Sequence, residues 1–79
     1  YPNPFNPIVK IDYSLPVSDN VVINVYDVNG SFIQSIENGI VSAGFHEAVW
    51  SAEKYPSGMY FIQFLSNYEN KTMKIMLVK

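Results

Sequence analysis

Apolar and polar residues alternate with a period of two along most of the chain, a pattern typical of half-buried β-strands. The first such segment repeats four apolar positions on one face: Val9, Ile11, Tyr13 and Leu15. Pro16 interrupts the pattern, and a second segment repeats Val21, Ile23 and Val25. Since these residues are mostly β-branched or aromatic, both segments are predicted to be strands with one face in a core.

A hairpin is predicted at the Asn29-Gly30 pair, because both residue types tolerate positive φ. The returning strand runs from Phe32 to Ile36. Its period is imperfect, since Phe32 and Ile36 share one face and Ile33 falls on the other. This predicts either a strand covered on both sides or a β-bulge. Residues 37–44 are predicted to form a loop, with room for a short strand at residues 40–41.

Three further strands are predicted in the second half of the chain. One places His46, Ala48 and Trp50 on a common face. Another, at residues 60–65, is apolar on both faces and is therefore predicted to be central in its sheet. The last runs from residue 72 to residue 78. Six or seven short strands without a convincing helical period predict an all-β fold, an antiparallel β-sandwich.

The amino-terminal residues differ from the rest. Three of the five prolines lie within residues 1–7, with Asn3 and Asn6 between them. Each proline fixes φ and removes a backbone donor. Residues 1–7 are therefore predicted to form an extended, polyproline-like lead-in to a single domain that spans residues 1–79.

Composition narrows the class of protein. The 79 residues are 48% hydrophobic and 15% aromatic, which is sufficient for a packed core. The net charge is −2 without a basic stripe, so nucleic-acid binding is not expected. The absence of Cys excludes disulfides and thiolate metal sites. No apolar run is long enough to insert into a membrane, and no signal peptide precedes Tyr1. We therefore expect a piece of a longer protein.

Catalytic chemistry has little support in the sequence. The single histidine, His46, lies within a strand and is predicted to pack in the core or at its edge rather than to act as a catalytic base. No nucleophile elbow, phosphate-binding glycine loop or zinc-ligand pair is present. Residues 27–30 resemble the start of a calcium loop, but Asn38 occupies the position where such a loop needs Glu. We expect neither an enzyme nor a bound cofactor or metal.

Two features of the sequence, its aromatic residues and its apolar closing segment, leave a binding role open. The aromatic residues could form a sugar-binding platform, although a core role is favoured for most of them; the candidates to point outward are Tyr26, Phe45, Tyr55, Phe61 and Tyr68. The apolar segment from Met73 to Val78 is flanked by lysines. It fits a buried strand whose lysines protect an edge, or a terminal strand presented to another protein.

Five motifs in order resemble the C-terminal sorting domains of the type IX secretion system, the Por secretion tail family. They are residues 1–7 with 11–16, residues 25–30, residues 43–46 with Trp50, residues 56–61, and residues 74–79. The resemblance covers essentially the whole chain. One departure is Ser51, because the family commonly has Asp or Asn directly after the tryptophan.

The resemblance implies an immunoglobulin-like β-sandwich of about seven strands that follows a cargo protein. Such a domain acts as an address for export across the outer membrane from the periplasm, which implies a secreted or surface location. Its partners are the type IX translocon and a sortase-like surface peptidase. The family's recognition determinants map to the closing motifs, which gives these candidates: Gly58, Tyr60, Lys74, Ile75, Met76, Leu77, Val78 and Lys79.

The alternative function is a carbohydrate-binding or structural immunoglobulin-like module of a secreted or surface protein. The immunoglobulin-like domain of the flagellar hook-capping protein is similar in its Val-Tyr-Asp, Gly-x-His and Trp pattern. Because one sandwich architecture supports many functions, fold similarity alone does not decide between these hypotheses.

Overall fold

The computed structural model describes residues 7–79, which form six β-strands and no helix. No helix in this part of the chain is therefore a candidate to cross a membrane. The strands are β1 (Ile8–Leu15), β2 (Asp19–Asp27), β3 (Phe32–Val41), β4 (Gly44–Ser51), β5 (Gly58–Leu65) and β6 (Asn70–Leu77).

The strands form two antiparallel sheets of unequal width. One sheet contains β1 paired with β4, and the other has the order β3-β2-β5-β6. The two sheets pack face to face, which confirms the predicted all-β sandwich. The described residues contain six strands, where about seven were expected from the family resemblance. Strand β5 lies between β2 and β6, as its two apolar faces predicted.

The core lies between the two sheets and follows the predicted alternation. The inward residues of β2 and β5 are buried, and those of β1 and β4 close the core from the other sheet. The largest fully buried side chains are Trp50, Ile23, Ile62, Val21 and Val25. Burial of these apolar groups is the main source of stability in a domain without disulfides.

The predicted hairpin joins β2 to β3. The Gly30 amide donates to the Asp27 carbonyl at 3.0 Å, and the Asp27 amide donates to the Ser31 carbonyl at 2.9 Å. Gly30 has a φ of 81°. Asn29 does not share this conformation, because no residue other than glycine has positive φ in the described part of the chain. Of the Asn29-Gly30 pair, Gly30 alone therefore uses the left-handed region.

Two β-bulges resolve the irregular period of β3. The pairing with β2 shifts between Ile23 and Asn24 and again between Val25 and Tyr26. These shifts leave Ile36 and Ile33 as the extra residues. Both isoleucines pack against the core, while Phe32 is 59% exposed. The predicted common face of Phe32 and Ile36 is therefore wrong, whereas the bulge is confirmed.

The loop predicted at residues 37–44 is mostly strand. Strand β3 continues to Val41, and only residues 42–43 separate it from β4. Gly39 lies within the ladder, opposite Val21 of β2. Because backbone pairing with β2 continues past it, the glycine does not end the strand. Of the predicted lead-in, residues 1–6 lie outside the described residues, and the Pro7 carbonyl accepts a hydrogen bond from the Ala52 amide at 2.9 Å.

Candidate functional site: an open edge strand

The closing strand β6 forms an edge of the four-stranded sheet. It pairs with β5 on one side, and no other strand of the described part of the chain pairs with its opposite side. The register places Gly58 opposite Leu77 and Tyr60 opposite Ile75. The residues selected from the sequence at the start of β5 and the end of β6 therefore lie side by side.

Exposure alternates along the end of this strand. Met76 and Val78 are 61% and 72% exposed, and Lys74 is also exposed. Ile75 is half-buried and Leu77 is buried in the hydrophobic core. Leu77 is the one buried residue of β6, so a fully buried strand is the wrong interpretation. An edge strand with one anchoring residue is what the structure contains.

The carboxyl end of β6 is fastened to the connection between β4 and β5. The Lys79 amide donates to Ser57 Oγ at 3.0 Å, and the Lys79 ammonium donates to the Glu53 carbonyl. On the inner side, the Tyr60 hydroxyl donates to the Pro56 carbonyl at 2.6 Å. The two hydrogen bonds from Lys79 hold residues 53–57 against the chain just beyond β6, and the one from Tyr60 ties the same connection to β5.

Tyr60 itself is buried and contacts the core. Its ring centroid lies 5.3 Å from that of Trp50, with the rings nearly edge to face. Burial, then the charge of Asp27 and then Tyr55, raises the pKa of the Tyr60 phenol above its ordinary value. Tyr60 and Leu77 are therefore residues that position the strand, while the accessible surface is formed by Lys74, Met76, Val78 and Lys79.

His46 lies at the edge of the core, as predicted. Its Nε2 is 2.7 Å from the Ser42 carbonyl oxygen, and its ring stacks on Tyr13 with the centroids 5.5 Å apart. The described residues contain no cluster of three potential metal ligands. Asp27 is the first residue of the segment that resembles a calcium loop. Its Oδ1 accepts hydrogen bonds from the Asn29 and Ser31 amides. Its carboxylate thus stabilises the hairpin turn.

The predicted outward aromatic residues divide into two groups. Phe45 and Tyr68 are 93% and 76% exposed, and Tyr26 and Phe61 lie on the outer face of the four-stranded sheet with partial exposure. Tyr55 is different, since it packs against Trp50 at a centroid distance of 5.6 Å. The prediction for Tyr55 is therefore wrong: its ring covers the open end of the core.

The register reveals an aromatic row that the sequence analysis did not find. Phe32 is opposite Tyr26, Tyr26 is opposite Phe61, and Phe61 is opposite Lys74. The three aromatic residues lie on β3, β2 and β5, and Lys74 continues the row onto β6 on the outer face of the sheet. Phe32 was missed because the bulge at Ile33 changes the face on which it lies. The irregular spacing of the apolar residues 32, 33 and 36 was the feature of the sequence that indicated a bulge here.

Fold and site together define a small antiparallel β-sandwich domain with an open sheet edge at its closing strand. The chain belongs to the secretion system C-terminal sorting domain family, whose model matches residues 1–79. No curated protein and no solved structure gives a significant match. Family membership makes the chain a C-terminal sorting signal for type IX secretion and implies a secreted or cell-surface protein.

Proposed function

We propose that the domain is a non-catalytic address, read through β6, that directs an upstream cargo protein across the outer membrane from the periplasm. The translocon recognises the folded domain, and a sortase-like surface peptidase then acts on the exported protein. The observation that supports this proposal is the open edge of β6. Its outer side carries exposed Lys74 and Met76, and Lys79, two residues beyond the strand, is held by the 53–57 connection.

The physical basis of recognition is the unpaired main chain. An edge strand presents backbone donors and acceptors that a partner can pair with, and alternating side chains supply specificity. The sandwich keeps this edge extended because β5 pairs along the whole of β6. Leu77 anchors the strand in the core, so the exposed residues beside it have a fixed orientation.

Export of a reporter fused to residues 1–79 in a type IX-competent host tests the proposal. Deletion of residues 74–79 would also remove the buried Leu77, so point variants are more informative. We expect the double variant Lys74→Glu with Met76→Asp to fold and to accumulate in the periplasm. The matched control is Val49→Asp, an exposed position on β4 of the other sheet, and it should be exported.

Equal export of the double variant and the control would show that β6 is not the recognised strand. Periplasmic retention of the intact fusion would contradict the export function itself. In the culture medium, reporter that has lost the domain would further show that a surface peptidase removes it, whereas the intact fusion alone would show that the domain is retained.

The aromatic row supports the second candidate function, carbohydrate binding. Tyr26 and Phe61 are adjacent on the outer sheet face, and polar side chains lie in the next row: the Tyr26 hydroxyl contacts Asn24 Nδ2 and Gln63 Oε1. Aromatic faces beside amide groups suit the apolar and hydroxyl surfaces of a sugar. A glycan array with the isolated domain tests this function. Binding that Phe61→Ala abolishes, with export unchanged, would support it.

A further inference from the structure

The two sheets of the sandwich do not cover each other completely. Tyr13 of β1 packs on Phe64 of β5, with the ring centroids 5.1 Å apart. On the other side, Trp50 of β4 donates a hydrogen bond to Gln34 of β3 at 3.2 Å. The two-stranded sheet thus lies over β3, β2 and β5. Strand β6 projects beyond β1 and has no strand of the described residues above it.

The free edge of β1 is the one that faces away from β4, where no strand of the described residues pairs with it. The projection of β6 leaves an apolar groove between this edge and the inner face of β6. Its volume is about 350 Å³, and its apolar lining comes from Ile11, Tyr13, Ile62, Phe64 and Met73. Met73 is opposite Ile62, which is buried, yet Met73 itself is 44% exposed. The Met73 side chain therefore lies on the core-facing side of its sheet but is not covered, because the two-stranded sheet does not extend over β6.

The groove carries charged residues of both signs, and one of them has no ionic partner among the described residues. Asp12, Glu69 and Lys71 all line it, and the Lys71 ammonium pairs with the Glu69 carboxylate at 2.9 Å. Asp12 is exposed on the outer face of the two-stranded sheet, directly opposite Glu47 on β4, and such a pair of like charges is unfavourable. Because β4 lies on the other side of β1, a basic residue on a strand added at the groove side would lie next to Asp12 and offset its charge.

We propose that this groove binds an extended segment of a partner protein, which pairs with the free edge of β1 as the third strand of its sheet. The segment carries a lysine or arginine opposite Asp12. The residues on either side of this cation are apolar, and they point inward onto Met73 and Ile11. Main-chain pairing supplies affinity, and the apolar-basic-apolar pattern supplies specificity. The inference is independent of the sorting function, because it concerns a different edge of the sandwich.

A second copy of the chain fits the groove poorly. It would have to bring its own β1 edge to this one. Strand β6 projects beyond β1 in each copy, so the two β6 strands would collide first. A separate extended segment does not meet this obstacle.

A synthetic seven-residue peptide tests the proposal, with threonine and valine alternating and a lysine in place of the central threonine. It is added at millimolar concentration to the purified 79-residue chain, and amide hydrogen exchange and NMR shifts are recorded. We expect slowed exchange confined to the free-edge amides of residues 11–14 and a shift of the Met73 methyl group. A peptide with a central proline, which cannot pair, serves as the negative control.

Two pairs of variants assign the contacts. Met73→Glu should weaken peptide binding about tenfold or more, because the apolar contact is lost. Met76→Glu is the matched control on the opposite face of β6, and it should leave affinity within about twofold. Asp12→Lys should reverse the preference, so that a peptide with a central glutamate binds better than the lysine peptide. The charge-reversal test with Asp12→Lys does not depend on whether Met73→Glu folds.

Four results of the peptide experiments would overturn the proposal. They are no binding of the lysine peptide, slowed exchange at the edge of β6 or β3 instead of β1, equal effects of the two methionine variants, and a preference that Asp12→Lys leaves unchanged. Slowed exchange of residues 11–14 that rises with protein concentration in the absence of peptide would identify a second copy as the occupant and would also overturn it.

Discussion

The ring of Trp50 meets the ring of Tyr60 nearly edge to face, with the centroids 5.3 Å apart, and this contact joins the two sheets. Trp50 lies on β4 of the narrow sheet and Tyr60 on the central strand of the wide one. The polar atoms of both rings are satisfied, because Trp50 Nε1 donates to Gln34 and the Tyr60 hydroxyl donates to Pro56. The pair therefore closes one end of the core without an unpaired polar group.

Trp50→Ala should lower the free energy of unfolding by about 3–5 kcal/mol, because the side chain is fully buried and its loss leaves a cavity. Urea unfolding followed by circular dichroism measures the change. Trp50→Phe is the matched control, since it retains most of the apolar volume and loses only the hydrogen bond to Gln34. A loss below about 1 kcal/mol for the alanine variant would contradict burial of the ring.

Gly30→Val should destabilise the domain by about 1–3 kcal/mol through backbone strain alone. Gly30 has a φ of 81°, and a Cβ built there would meet no atom within 4 Å. The cost therefore comes from the left-handed conformation, which a β-branched residue rarely adopts. Gly30→Asn should cost less, because asparagine tolerates this region. Equal unfolding midpoints for the two variants would be inconsistent with the observed turn.

Asp19→Ala should cost about 1–3 kcal/mol, because buried Asp19 links the start of β2 to the turn between β5 and β6. Its Oδ1 accepts a hydrogen bond from the Asn20 amide at 2.7 Å, and its Oδ2 accepts one from the Asn67 amide at 3.2 Å. The exposed Asp12→Ala is the control and should change stability by less than about 0.5 kcal/mol. Thermal unfolding of both variants makes the comparison, and a similar effect at the two positions would argue against the buried link.

The free energy of unfolding should fall as the pH rises above 10.0, the ordinary pKa of tyrosine. Burial raises the pKa of Tyr60 in the folded state, so above this pH the unfolded state loses the proton first and is favoured. Below it, both states are protonated and this contribution is constant. Urea unfolding between pH 8 and about 11 should show a shallower decline for Tyr60→Phe than for the parent chain. Identical declines would contradict the raised pKa.

Local sequence patterns predicted much of the architecture. The alternating positions in β1, β2, β4 and β5 correspond to the buried residues of both sheets. This works because a strand turns successive side chains to opposite faces, so a one-sided core leaves a period of two. The hairpin at Gly30 was also predictable, because the turn is built from adjacent residues.

Strand β3 shows where this local reasoning fails. Its two bulges interrupt the period of two, so both Ile33 and Ile36 reach the core and Phe32 is exposed. The position of a bulge depends on how the strand pairs with β2, and pairing is not visible within the strand itself. Asp19 is a similar case, because its partner Asn67 is distant in sequence.

The sequence by itself determined the fold class and the family. It could do so because a core face and a turn each leave a local pattern, and because the family motifs occur in a fixed order. Tertiary structure alone decided that β6 is an edge strand among the described residues, that Tyr60 of β5 is buried beside it and that β6 projects beyond β1. These features depend on which strands become neighbours and how far one sheet covers the other. Long-range packing sets both, and no single strand records them.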